Sequence, residues 1–137
     1  MKNKVVVITG GTSGIGRACA EVFAKAGSKV VVSARSKDKL LEVEIELKKY
    51  SEAACFVADV SKEQDCQRLI DETLKRFGRI DVLVNNAGIS MRALFEDVDL
   101  SVIRQLMDVN FWGIVYCTKY ALPHLLKSKG MLSTLPI

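Results

Sequence analysis

The sequence predicts an α/β domain built on a doubly wound parallel sheet. Short Val-rich runs recur along the chain, and segments with helical periodicity separate them. A strand that returns to the same sheet through a helix needs a right-handed crossover, so this alternation indicates parallel strands. A glycine-rich stretch at residues 9–16 directly follows the first run. Its place between a strand and a helix is typical of a turn that cradles phosphate.

Four apolar runs are predicted to be strands buried on both faces. They cover residues 5–8, 30–32, 55–58 and 82–84. They are too short for buried helices, and valine favours strands because of its branched Cβ. The predicted strand order is 3-2-1-4. The segment after residue 130 is a candidate for a fifth strand beside the fourth.

Three segments between the strands each carry one apolar stripe at helical spacing. Gly27 and Gly78 stand where the first and third helices should end, and residues 61–64 have the S-x-x-Q form of a capping box opening the third. The stripes consist of Ile15, Ala18, Cys19, Val22, Phe23 and Ala26, of Leu40, Val43 and Leu47, and of Cys66, Leu69, Ile70, Thr73 and Phe77.

Residues 99–128 are predicted to form one long helix that Pro123 interrupts near its end. Its apolar residues, which include Ile103, Phe111 and Trp112, lie on more than one face. Such a helix is buried in a larger core or contacts a partner. We therefore expect a homo-oligomer that associates through this helix.

Length and composition indicate a single domain over residues 1–137. The chain is 49% hydrophobic and 26% charged, and its net charge of +4 comes from basic residues interleaved with acidic ones. We therefore expect no nucleic-acid binding. No apolar run approaches a membrane span and no signal peptide is evident, which favours a cytoplasmic location. The four cysteines form no C-x-x-C pair, which favours core packing over disulfides or a metal site.

The stretch T-G-G-T-S-G-I-G has the features of a phosphate-binding turn. Gly10 permits a tight turn, Gly14 lets the backbone approach a pyrophosphate, and Gly16 lets helix and strand pack closely. The phosphates would bind free N–H groups at the start of the first helix. Arg17 stands where a Walker loop would need G-K-[S/T], which argues against ATP or GTP. For this stretch by itself, a turn without a ligand is the alternative.

The stretch resembles the glycine motif of the short-chain dehydrogenase/reductase family, and three further motifs match that family in order and spacing. They are Asp59-Val60 after the third strand, Asn85-Asn86-Ala87-Gly88 after the fourth, and Asn110 in the long helix. The resemblance implies a Rossmann fold, a nicotinamide cofactor, and hydride transfer to or from a carbonyl or alcohol. It also implies that Asp59 bonds the adenine amino group, that residues 86–88 follow the ribose and nicotinamide, and that the Asn110 carbonyl holds a water of the catalytic proton relay.

The end of the second strand favours NADP over NAD. An NAD-selective site usually has an acid here, which repels a 2′-phosphate. This chain has Ala34 at that position and then Arg35, whose guanidinium can chelate the phosphate. The family's stronger NADP pattern also has a basic residue in the glycine loop, where this chain has Ser13. The candidate cofactor-binding residues are thus Gly10, Thr12, Ser13, Gly14, Ile15, Gly16, Arg35, Asp59, Val60, Asn86, Ala87 and Gly88.

Only Asn110 of the family's catalytic residues has a match in the chain. Tyr116 and Lys119 do not have the Tyr-x-x-x-Lys spacing, and Ser133 is out of register with the family's serine. Pro136 is expected to break the last strand. We therefore expect a C-terminally truncated family member that lacks the catalytic half and has little turnover by itself. The alternatives are a catalytically dead nucleotide-binding module and an oligomerising fragment with an empty site.

Overall fold

The computed structural model describes residues 1–135, and the predicted alternation of strands and helices is present in them. The elements are β1 (Val5–Thr9), α1 (Gly14–Lys25), β2 (Lys29–Ala34), α2 (Lys37–Leu47), β3 (Ala53–Val57), α3 (Glu63–Phe77), β4 (Val82–Asn85), a short 3-10 turn (Phe95–Asp97), α4 (Leu100–Met107), a π-helical turn (Asp108–Trp112), α5 (Gly113–Ser128) and β5 (Met131–Thr134).

The five strands form one sheet in the order β3-β2-β1-β4-β5. Every neighbouring pair is parallel, which confirms the doubly wound fold. The fifth strand that the sequence left open is present, and its register runs from Val82 opposite Met131 to Asn85 opposite Thr134. Pro136, which was expected to break this strand, lies outside the described residues.

Helices cover both faces of the central strands, so β1 is buried along its whole length. Val6 and Ile8 belong to the cluster formed with α1 and α2, whereas Val7 belongs to the cluster formed with α3 and α5. This explains the uninterrupted apolar run, because a strand covered on both faces has no polar side. The edge strand β3 departs from the prediction of burial on both faces, since Val57 is 45% exposed.

The apolar stripe predicted for α1 is largely wrong. Ile15 and Val22 are 63% and 66% exposed, and the buried face instead carries Gly16, Ala20 and Ala24. These three residues recur every fourth position and are small, so the helix lies close to the sheet. Hydrophobic periodicity pointed to the larger side chains and therefore to the wrong face.

The capping box predicted for α3 is also wrong. The helix begins at Glu63 and its N-cap is Lys62, without a side-chain cap. The Ser61 hydroxyl donates instead to Asp59 Oδ1 at 2.6 Å. Asp65, in the first turn, accepts the N–H of Asp59 at 2.8 Å. Hydrogen bonds to Asp59 and Asp65 thus hold together the loop over residues 59–65.

The long helix predicted for residues 99–128 is interrupted, but not at Pro123. It consists of α4, the π-helical turn and α5, and Pro123 lies inside α5, which continues to Ser128. A π turn inserts an extra residue into the helix and is often found at functional sites. Here it contains Asn110.

Candidate functional site

A cleft of about 320 Å³ opens at the carboxyl ends of the strands. The chain runs outward from β1 to β3 and then returns to β4 on the other side of β1. This reversal leaves a crevice beside β1, which is where open α/β sheets bind ligands. The cleft is lined by nine of the residues predicted for the cofactor: Gly10, Thr12, Ser13, Arg35, Asp59, Val60, Asn86, Ala87 and Gly88.

The glycine loop begins with a backbone that only glycine fits. Gly10 has a φ of +66°, and a Cβ at this position would lie 2.7 Å from Ala87 Cα. Its N–H donates to the Ser33 carbonyl at 2.8 Å, which ties the loop to the end of β2. Because Gly10 also lies against the backbone of Ala87, the loops that follow β1 and β4 are in direct contact.

Asn86 joins the same two loops through its side chain. Its Nδ2 donates to the Gly10 carbonyl at 2.9 Å, and a Cβ on Gly16 would collide with that amide. Gly16 thus makes room for the loop after β4 as well as for the close approach of α1 to the end of β1. Thr9 Oγ1 accepts the N–H groups of Asn86 and Ala87, each at 3.1 Å. The sequence interpretation missed Thr9, although it is the first residue of the glycine motif.

Three other predicted residues lie at the start of α1 beside the cleft rather than in its lining. Gly14 has a φ of +57°, Ile15 points to solvent, and Gly16 is buried against the Asn86 amide. Ser13 is the N-cap of α1, and its side chain makes no capping hydrogen bond. The first N–H groups of α1 and the Ser13 hydroxyl are therefore available to an anion at this end of the helix.

Positive charge lies at the β2 end of the cleft. Arg35 and Lys39 both line it and are exposed, and neither forms an ion pair with any residue in 1–135. Ser36 also lines the cleft and caps α2, where its hydroxyl oxygen accepts the Lys39 N–H at 3.5 Å. The sequence interpretation missed Ser36 and Lys39. A serine just before the apolar stripe of α2 was the available signal for the cap.

Asp59 is held as a carboxylate beside this charge. Burial by itself raises its pKa, but the hydroxyl and N–H of Ser61, with Arg35 and Lys62 nearby, hold the pKa below its ordinary value. Ser61 occupies Oδ1 with both bonds, at 2.6 and 3.0 Å. The other carboxylate oxygen of Asp59 therefore remains as an acceptor at the edge of the cleft.

Asn110 holds the π-helical turn against the loop after β4. Its Oδ1 accepts the Ile89 N–H at 2.8 Å, and its Nδ2 donates to the Ile89 carbonyl at 2.7 Å. This pairing explains why an asparagine, a weak helix former, stands inside the helix. Ile89 and Val109 both line the cleft, so the π turn sets the shape of one wall.

The cleft has no cysteine in its lining within residues 1–135. Burial raises the pKa of the Cys55 thiol to about 12, and Cys66 and Cys117 are buried between α3 and α5. In the part of the chain that the structure describes, no cluster of His, Cys, Asp or Glu is suited to a metal ion. Within the same residues, no helix combines the length and the apolar composition of a membrane span.

Comparison with known proteins gives consistent matches. The family model for short chain dehydrogenase matches residues 4–132. The 11-beta-hydroxysteroid dehydrogenase A of Sesamum indicum is 46% identical over 135 residues, which are 96% of this chain and 39% of that protein. The chain thus spans about two fifths of the length of this curated relative.

Two solved structures have the same fold. An alcohol dehydrogenase from the archaeon Thermococcus sibiricus, complexed with 5-hydroxy-NADP, superposes with a TM-score of 0.93 at 32% identity, over 97% of this chain and 57% of that one. The NADH-dependent reductase A1-R′, responsible for alginate metabolism, superposes with a TM-score of 0.86 at 36% identity, over 93% of this chain and 53% of that one.

Proposed function

The chain belongs to the short chain dehydrogenase family, and we propose on that basis that its residues hold NADP for an enzyme that interconverts a carbonyl and an alcohol. One observation carries the proposal. The glycine loop, the loop after β4 and the cationic end of β2 line a single cleft at the sheet's switch point. Such a crevice is the usual site for a dinucleotide in an open α/β sheet.

The residues of the cleft fit a dinucleotide. The N–H groups at the start of α1 would bind the diphosphate, where glycine at 10 and 16 keeps the loops close. The free oxygen of Asp59 would accept from the adenine amino group. Residues 86–88 would follow the ribose and the nicotinamide, and Asn110 would keep this wall in place through Ile89. A nicotinamide held by these residues would supply or accept the hydride.

Charge at the end of β2 supports NADP rather than NAD. Arg35 and Lys39 stand together at the cleft, and Ala34 leaves no carboxylate there to repel a 2′-phosphate. A guanidinium binds phosphate with two charge-assisted hydrogen bonds. The two structural relatives described above are named for different nicotinamides, so this preference rests on the charges of this chain.

Calorimetric titration with NADPH and NADH tests the proposal. We expect tighter binding of NADPH, and an Arg35→Ala variant that loses at least about 100-fold in affinity for NADPH, because the two charge-assisted hydrogen bonds are each worth about 1.5–3 kcal/mol. Its affinity for NADH should stay within about twofold of wild type, because NADH has no 2′-phosphate for Arg35 to bind. Lys37→Ala is the matched control, since Lys37 is an exposed cation nearby that does not line the cleft. Equal binding of both nucleotides by the wild type would refute the NADP assignment.

Turnover separates the enzyme from a binding module. The chain has no tyrosine followed four residues later by a lysine. We therefore expect negligible consumption of NADPH with ketones by residues 1–137, even when NADPH binds. The name of the curated relative given above supports a hydroxyl or keto group as the reacting centre. Rapid ketone reduction by this chain would show that another residue donates the proton.

Self-association through the region 99–128 is a second proposal. Leu100, Phe111, Trp112 and Leu126 are 60%, 49%, 43% and 70% exposed along it. Apolar surface of this extent on one helical region usually marks an interface. Analytical ultracentrifugation should detect a dimer or larger species, and a monomer at high concentration would contradict the proposal.

A further inference from the structure

Ser33, near the end of β2, has a buried hydroxyl that forms no hydrogen bond with the described residues. Its hydroxyl is fully buried and, in the part of the chain that the structure describes, is the single buried side-chain N or O atom without a hydrogen-bond partner. Buried polar groups are almost always paired, because leaving one unpaired destabilises the folded protein. The Ser33 hydroxyl therefore either finds a partner outside the chain or lowers the stability of the folded protein.

Several polar groups near Ser33 have other partners. Ser33 stands opposite Thr9 of β1 and Phe56 of β3. Thr9 Oγ1 accepts two N–H groups from the loop after β4. The N–H groups of Gly10 and Gly11 both donate to the Ser33 carbonyl, at 2.8 and 3.3 Å. Among the described residues, no group forms a hydrogen bond with the Ser33 hydroxyl.

Ser33 lines the same cleft as the predicted cofactor residues. Along the strand it precedes Ala34 and Arg35, and across the sheet its neighbour β3 leads into Asp59. It thus lies between the glycine loop and the end of the cleft assigned to adenine and its ribose, on the far side of β1 from the loop after β4.

We infer that the Ser33 hydroxyl hydrogen-bonds the adenosine half of the bound nucleotide. This rests on the proposed function, but it concerns a residue that the family motifs do not include. The unpaired hydroxyl destabilises the free protein, and the same group gains its partner when the nucleotide binds. Removing the hydroxyl should therefore stabilise the free protein and weaken nucleotide binding.

The test is Ser33→Ala, studied by thermal unfolding and by calorimetric titration with NADPH and with 2′,5′-ADP. Without nucleotide, Tm should rise by about 2 °C or more, because alanine buries no unpaired group. Affinity should fall by about 3- to 10-fold for both nucleotides, the range expected for one neutral hydrogen bond.

Ser28→Ala is the matched control at the other end of β2. Ser28 is equally buried, but its hydroxyl donates to the Met1 carbonyl at 2.9 Å. This variant should lower Tm and leave nucleotide affinity unchanged. The contrast separates loss of a satisfied hydroxyl from loss of an unsatisfied one.

Four outcomes overturn the inference, and only the last also overturns the proposed function. Unchanged affinity in Ser33→Ala shows that the hydroxyl does not contact the nucleotide. A lowered Tm in the free protein shows that a buried water already satisfies it. Weaker binding of NADPH with unchanged binding of 2′,5′-ADP places the contact in the nicotinamide half. If the wild type binds neither nucleotide, the proposed function fails and the inference fails with it, whereas the first three outcomes leave the proposed function intact.

Discussion

Replacing Gly14 with alanine tests whether the start of α1 holds a diphosphate. Gly14 has a φ of +57°, and a Cβ at this position meets no atom within 4 Å. The methyl group therefore costs the protein only the left-handed backbone, about 1–2 kcal/mol. About 0.4–1 kcal/mol of this is offset because alanine also restricts the unfolded chain. We expect a net loss of about 1 kcal/mol in the free energy of unfolding, or about 3–5 °C in Tm.

The expected effect on nucleotide affinity is larger. The space around the added Cβ, empty in the free protein, is where phosphate oxygens would approach the N–H groups of α1. Hydrogen bonds to a charged group are worth about 1.5–3 kcal/mol each. Displacing the diphosphate from two of them lowers NADPH affinity at least about 100-fold, which calorimetric titration can measure.

Gly78→Ala is the control for the backbone cost. Gly78 caps α3 with a φ of +77°, and a Cβ there also meets no atom within 4 Å. This variant should lose the same Tm as Gly14→Ala and keep wild-type affinity, since Gly78 ends α3 and is not part of the turn that begins α1. Wild-type NADPH affinity in Gly14→Ala would refute the reasoning, because it would mean that no phosphate lies against this turn.

Two further variants test a polar contact at the amino ends of β1 and β4 and a contact that holds one wall of the cleft. Asp81 is buried, and its carboxylate accepts the Val5 N–H and two Arg79 N–H groups at 2.6–2.8 Å. Burial by itself raises the pKa of Asp81, but these bonds and the charges of Arg79 and Lys4 hold the pKa below its ordinary value. The carboxylate therefore stabilises the fold above about pH 4, and that contribution disappears as the pH falls through the lowered pKa. Asp81→Asn should lower the free energy of unfolding, measured in urea at pH 7, by about 1–3 kcal/mol. The loss of stability toward acid pH should also become smaller in this variant. An unchanged loss of stability toward acid pH would mean that other carboxylates cause it. Asn110→Ala leaves both backbone groups of Ile89 unpaired, so we expect a loss of about 1–3 kcal/mol and faster hydrogen exchange at the Ile89 N–H. Unchanged exchange would mean that another contact holds this loop.

Much of the fold and of the cleft could be predicted from sequence because the signals are local. The Val-rich run before residues 9–16 predicts a buried strand, and glycine in the turn indicates a backbone that other residues cannot adopt. The strands of a doubly wound sheet all present their carboxyl ends at one edge, so Arg35, Asp59 and Asn86 could be expected in one cleft. The structure brings these three together.

Contacts between distant segments could not be predicted in this way. α1 buries Ala20 and Ala24 because small residues let it approach the sheet, whereas periodicity favours the larger apolar residues on its exposed flank. The sequence pattern at Ser61 predicts a helix cap, but the Ser61 hydroxyl donates to Asp59 instead.

By itself, the sequence determined the order of strands and helices, the glycine turn and the family, because periodicity, glycine and motif spacing are properties of neighbouring residues. The tertiary structure alone decided that Asn110 pairs with Ile89 at the π turn, that Thr9 holds the loop after β4, and that no group within residues 1–135 pairs with the Ser33 hydroxyl. Each of these depends on which polar atoms meet once the sheet has assembled, and no local pattern records that.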